Sequence, residues 1–410
     1  MRKTKRIFCL ILSVLMILIF ASCSSRNIMA DKQAAPVNLA VPEQRTREQK
    51  TGDIYVSPSG SDRNPGTKEQ PVQTPQRALE LARALDREEK VIFLEDGEYP
   101  ITSLTLTAED SGVTLFAENN AVFNGGLKLD PKDFQDYRGN IKVLDLSAYG
   151  VTSARIGQMR AFGQYNQAEK YDADGSLYCE LFCDNERMTL ARYPNNGEYL
   201  YTGKILDNGD SKEVYTDNGT ETNPEWETLK NPRGGTFEAD KEVSDRVKSW
   251  TNSDDIWMFG YFQYDWADST TPLKEVGNGT ITTEYASVYG FKEGMPYYFF
   301  NVFEELDAEC EWYIDTNDLK LYFIPPADYQ DKSLEISLSV NDLIILQDAG
   351  NITFDGITFT GTRASAICGT GSNITIQNCI IKNVGENAVD LTGSHILVEN
   401  NEITATGMAG

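Results

Sequence analysis

The segment 351–372, "NITFDGITFTGTRASAICGTGS", and the segment 373–394, "NITIQNCIIKNVGENAVDLTGS", align in register without a gap. Within each copy, short alternating apolar runs are separated by Gly, Asn and Ser. Three strands of this length cannot bury a face alone, but stacked copies can, because parallel strands lie about 4.8 Å apart along the hydrogen-bonding direction. Ile352, Ile374 and Ile396 define one predicted inward column, Phe354, Ile376 and Val398 a second, and Phe359, Ile381 and Ile403 a third. Asn378 and Asn400 align at a turn where side-chain amides can bond along the axis. This pattern predicts a parallel β-helix of about 22 residues per coil.

The period also occurs upstream. "KVIFLEDGEYP" (90–100) is followed by "GVTLFAENNAVFNGG" (112–126), which predicts Val91 over Val113 and Phe93 over Leu115. Before them, "TPQRALELARALD" predicts a short helix with Thr74 as N-cap, Pro75 at the first position and an apolar stripe of Ala78, Leu81, Ala82 and Leu85. Such a helix can plug the open end of a coil and protect its edge strand. Between 127 and about 333 the period gives way to alternating hairpins, with turns expected at Asp184–Glu186 and Thr316–Asp318, in a region holding all five tryptophans. The half-repeat "DLIILQDAG" then resumes, with Ile345 expected above Ile367 and Val389. A third copy, "HILVENNEITATGMAG", stops short without a capping element, so the coils are expected to be C-terminally truncated.

The expected organisation is therefore a signal over 1–23, a flexible tether over 24–52, an N-terminal cap and first coils over 53–126, an inserted all-β domain over 127–333 and β-helix coils over 334–410. The signal joins a basic "MRKTKR" to the apolar "IFCLILSVLMILIF", too short for an ordinary membrane span and suited to export. It is similar to a lipoprotein signal, which would make Cys23 the lipid-modified first residue, although Phe20 stands where such signals prefer Leu. The expected location is extracellular, with a lipid anchor at Cys23 as the sole membrane contact.

Charge narrows the partners. Removing Arg2, Lys3, Lys5 and Arg6 from the 37 basic residues leaves 33 against 62 acids, a net charge of −29. That balance excludes nucleic acid as an expected partner and disfavours polyanionic pectate. Cys179, Cys183, Cys310, Cys368 and Cys379 do not make a disulfide framework and read as buried thiols. A single histidine, His395, leaves no zinc pattern and no Ser-His-Asp triad. Hydrolytic chemistry would run on carboxylates, with no metal and no cofactor.

Four stretches, "YVSPSGSDRNPGT", "MTLARYPN", "DIWMFGYFQYDWADST" and "YYFFNVFEELDAECEWYIDTNDLKLYFIPP", together with the coils, resemble the right-handed parallel β-helix proteins around glycoside hydrolase family 141. The resemblance covers about 53–410 and implies a glycosidase of plant-type polysaccharide; a monomer is expected. It also implies catalytic carboxylates on coils after the insertion, so that part of the site would be missing and this chain would be inactive alone. A non-catalytic glycan-binding or adhesive protein is the alternative, and a polysaccharide lyase a weaker one.

Glycoside hydrolysis needs an acid and a base or nucleophile on opposite sides of the scissile bond. Asp390 is the first candidate: Val389 and Leu391 should face inward and Asp390 outward, in a column with Leu346 and Cys368 whose apolar character suggests a covered face. Its partner one or two rungs on would lie past residue 410. Glu386, in the turn "GENA", could line the same groove. Asp355 and Glu399, two rungs apart with Gln377 between, read as solvated surface. Tyr264, Asp265, Trp266 and Asp268 are candidates for substrate binding, since aromatic faces stack on sugars and carboxylates accept hydroxyl hydrogen bonds; Trp266 packed in a core is the competing reading. Arg192 is expected to be structural.

Overall fold

Residues 50–407 are described in the computed structural model apart from 160–177, 211–212, 221–222, 229–232, 252–254 and 288. Cys23 and the signal lie outside the described residues. Three parallel β-faces wind around one apolar core. The first runs through Ile54–Val56, Lys90–Leu94 and the leading halves of Val113–Asn124, Ile344–Thr360, Ile367–Gln377 and Val389–Glu399, taken at 113–117, 352–355, 374–377 and 396–399. The second stacks Gly97–Pro100, then 121–124 and 357–360, then Ile380–Val384 and Glu402–Thr406. The third stacks Leu104–Thr107 under 344–347, 367–369 and 389–391.

The coil is interrupted without losing its stacking. Strand Val113–Asn124 pairs directly with Ile344–Thr360, so the rung at 113–124 is followed in space by the rung at 352–360. Phe123 and Phe359 meet edge-on inside the coil with centroids 5.7 Å apart, and Tyr99 meets Phe123 at 6.0 Å. The intervening segment leaves after the second face and returns just before the third. It therefore stands at one corner of the helix.

The inward columns at 352, 374 and 396, at 354, 376 and 398, and at 359, 381 and 403 pair as the repeat predicts. At the corners, Asn351, Asn373 and His395 share left-handed backbone, as do Asn378 and Asn400. Asn373 Nδ2 donates to Asn351 Oδ1 (3.0 Å) and Asn400 Nδ2 to Asn378 Oδ1 (2.5 Å), which forms an amide ladder along the axis.

Three expectations need correction. The first coils are 23 residues apart, so Lys90 pairs with Val113 and Ile92 with Leu115, leaving Val91 and Phe93 on the outer face. A one-residue slip exchanges the two faces of a strand. Likewise Ile344, not Ile345, stacks under Ile367 and Val389, because a register shift between Leu346 and Ala349 absorbs one residue. The helix Pro75–Arg83, capped by Thr74 as expected, buries Ala78, Leu79 and Ala82; Leu81 and Leu85 sit at the edge of that contact. Arg83 pins it to the coil through a bidentate pair with the fully buried Asp110 (2.8 and 2.9 Å).

Antiparallel sheets fill the intervening segment. Gly126–Leu129 and Leu334–Ser337 pair with each other, so the outgoing and returning chains are zipped at the base, and Leu181–Cys183 extends that sheet. Its hairpin turns at Asp184 and Asn185, both with positive φ, which is the backbone a two-residue primed turn requires. A five-stranded sheet follows, and an eight-stranded one packs on the helix Lys241–Ser249, an element outside the all-β expectation.

Arg363 ties the segment to the coil. Its buried guanidinium donates to the backbone carbonyls of Ile156 (2.7 Å), Ser337 (3.0 Å), Leu338 (3.3 Å) and Arg155. On the rungs above, Arg187 donates to Ala405 O (3.0 Å) and Asn383 to Asn185 O (3.0 Å).

Candidate functional site

The third face and the corner before it carry a group of carboxylates. Val389 and Leu391 pack against the core, which turns Asp390 outward, and Asp390 is exposed rather than covered. Its column holds Ile345 and Cys368, not Leu346, as a consequence of the register shift. Asn387 Nδ2 donates weakly to Asp390 Oδ2 (3.5 Å). Glu386 is half-buried at the corner, with its amide donating to Ala364 O (3.2 Å).

Asp342 belongs to the same group and was not singled out by the sequence. Its Oδ1 accepts the Ser365 amide (2.9 Å), and Ser365 Oγ in turn accepts the Asn387 amide (3.3 Å). Aligning "DLIILQ" with "SAICGT" and "NAVDLT" by the observed register would have found it, since Asp342, Ser365 and Asn387 occupy one column. Cys368 reports the proximity of all three carboxylates. Burial pushes its thiol up to about 11, and the charges of Asp342, Asp390 and Glu386 add to the rise.

Asp342 and Asp390 are two rungs apart, roughly 9.6 Å along the axis. Inverting glycosidases place their carboxyls about 6.5–9.5 Å apart. The axial spacing alone places the pair at the upper limit of that range, and their columns stand three residues apart as well. Among the described residues no His, Cys, Asp and Glu group is arranged to hold a metal ion.

Asp355 is corrected. It pairs with Gln377 and through it with Glu399 as expected, but it is 3 % exposed and accepts Gln377 Nε2 (2.9 Å) and Asn378 Nδ2 (2.8 Å). It anchors the corner ladder instead of facing solvent. Arg192 is structural: buried, it donates to Pro194 O and Glu198 O (2.8 Å each) and stacks on Tyr298 at 3.5 Å.

Tyr264, Asp265, Trp266 and Asp268 lie in the loop between Trp257–Gly260 and Ser269–Val276. Trp266 is 54 % exposed, so it is not a core residue. It stacks on Tyr264 with centroids 5.4 Å apart and planes 10° from parallel. Tyr289, which the sequence did not single out, stands edge-on to both. These rings and the third-face carboxylates occupy different elements, and nothing brings them into one cluster.

The fold and its polar corner define a class: a parallel β-helix interrupted by antiparallel sheets. Residues 332–410 match the family model described as "Right handed beta helix region". No curated protein matches the chain in sequence. A solved structure titled "Glycoside hydrolase" is similar over 84 % of this chain and 65 % of its own length, at 18 % identity and a TM-score of 0.61, which shows a shared fold. XylC in complex with xylose is similar over 86 % of this chain and 54 % of its own, at 13 % identity and a TM-score of 0.37. The chain thus spans under two-thirds of the length of each of these two structures.

Proposed function

We propose that the full-length protein is an exported glycoside hydrolase acting on a plant-type polysaccharide, with its reacting carboxyls on the third face of the β-helix. One observation carries the reading: Asp342, Ser365 and Asn387 form one hydrogen-bonded column at the corner before the third face, Asn387 also reaches Asp390, and Glu386 adjoins it in the chain. Asp390 is one catalytic carboxyl. Asp342, two rungs earlier on the corner before the same face, is its partner, and Glu386 lines the groove between them. The intervening sheets wall one side of that groove. A lipid anchor at Cys23 would hold the enzyme, as a monomer, at the outer surface of the cell membrane.

The test is glycan hydrolysis by the gene's full-length product on xylan and fucosylated pectin fragments, with and without Asp390→Asn and Asp342→Asn. Loss of about 10²–10⁴-fold in kcat in both folded variants supports the paired-carboxyl reading. Full activity in either variant removes that residue from the mechanism. Glycan binding without turnover would favour a non-catalytic surface protein.

A further inference from the structure

Among the described residues the exposed aromatic rings are grouped. Six large aromatics are at least 41 % exposed among the described residues: Tyr137, Tyr199, Tyr201, Tyr264, Trp266 and Tyr289. Five of them lie at one end of the eight-stranded sheet. Gly260 pairs with Tyr297 and with Ser269, so the loop carrying Tyr264 and Trp266 emerges where Pro296–Phe300 begins. Leu200 and Tyr201 pair with Tyr297 and Pro296 at the same end. The loop carrying Tyr289 leads into that strand as well, and it is locked to the first loop by Lys292 N donating to Phe262 O (2.8 Å).

The geometry points to a second glycan-binding site there, separate from the third-face carboxylates, that takes neutral pyranose chains. The ring faces of Tyr264, Trp266 and Tyr289 are built for the C–H faces of sugars, which carry the partial positive charge that an aromatic face attracts. Asp265 is exposed beside the rings, and Asp268 follows two residues after Trp266 in the same loop. Carboxylates at such a rim accept sugar hydroxyls and repel uronates. A purely apolar protein partner would leave the same carboxylates desolvated without hydrogen bonds. The platform therefore selects an uncharged polyol.

This inference shares with the proposed function the ligand class alone, and binding measured in an Asp390→Asn background separates the two. Affinity electrophoresis through neutral xylan, mixed-linkage glucan and polygalacturonate, with Trp266 fluorescence titration, reads the site directly. Retardation by a neutral polysaccharide, weakened at least tenfold by Trp266→Ala and by Tyr289→Ala at unchanged melting temperature, is the expected result. Equal retardation of Trp266→Ala, no retardation by either neutral polymer, or preference for polygalacturonate would overturn it.

Discussion

Asp390 lies one rung above Cys368 in parallel register, both on the outward side of the third face. The cysteine is thus a built-in probe of the carboxylate group. With its thiol pushed up to about 11 from an ordinary value of 9.0, the thiolate fraction at pH 8 is roughly 100-fold below that of a free cysteine. Alkylation of Cys368 by iodoacetamide, followed by peptide mass spectrometry, should be slower than in the unfolded chain by about that factor. The Asp342 charge contributes most among the charges to that rise, so Asp342→Asn should speed the reaction several-fold at pH 8. An unchanged rate would mean that Asp342 does not face the thiol.

The coils were legible because every rung repeats one instruction. Ile352, Ile374 and Ile396 occupy the same environment, so the 22-residue spacing appears directly in the sequence. Legibility failed where a coil gained a residue. Ile92 over Leu115 needs a coil of 23 residues and Ile344 under Ile367 needs the shift between Leu346 and Ala349, and neither leaves a compositional trace. Asp342 was hidden for that reason: its column emerges only after the shift between Leu346 and Ala349 is known. The burial of Asp355 was hidden for another, because the pattern of a strand tells outward from inward but not what covers the outward side. The aromatic end of the eight-stranded sheet was half visible. "YDWADST" carried Tyr264 and Trp266, while Tyr289 joins them only through antiparallel pairing.

Arg363 should be the residue that holds the intervening sheets in register with the coil. Its buried guanidinium serves four backbone carbonyls, two from 155–156 and two from 337–338. A lysine cannot reach four acceptors with that planar fork. Arg363→Lys and Arg363→Ala should both lower stability by about 3–5 kcal/mol, since the carbonyls would be left buried and unpaired. Urea unfolding checks the magnitude. A loss under about 1 kcal/mol in Arg363→Ala would show that the carbonyls find other donors.

Gly385 sits one rung above Arg363 for a steric reason. A Cβ there would come within 2.2 Å of the Arg363 carbonyl oxygen, a backbone atom that cannot swing aside. Gly385→Ala should therefore force apart the corner next to Glu386 and cost about 1–3 kcal/mol in unfolding free energy. Gly294, with open space around it, is not a matched control because its φ is +79°. Gly350 is better: its nearest contact is 3.8 Å away, its φ lies outside the left-handed range, and Gly350→Ala should be close to neutral in the same measurement.

Glu311 gives a pH dependence with a definite sign. The carboxyl is almost fully buried; Oε2 accepts the amides of Asp307 and Ala308 (3.2 Å each), while Oε1 has no hydrogen-bond partner. Burial pushes it up from 4.5 to about 7, those amides and the Arg192 backbone pull it partly back, and the Asp307 charge adds to the rise. Between these two values the folded protein binds a proton that the unfolded chain has released, so this group's contribution to stability falls as pH rises from about 4.5 to about 7 and stays lost above. A shift of that size corresponds to about 3 kcal/mol. Glu311→Gln removes the ionisation while keeping an acceptor for the two amides. The variant should melt higher than the parent at pH 8, and the gap should close as pH approaches 4.5. Thermal unfolding across that range decides the matter: a gap that is constant with pH would mean that Glu311 stays ionised in the folded protein.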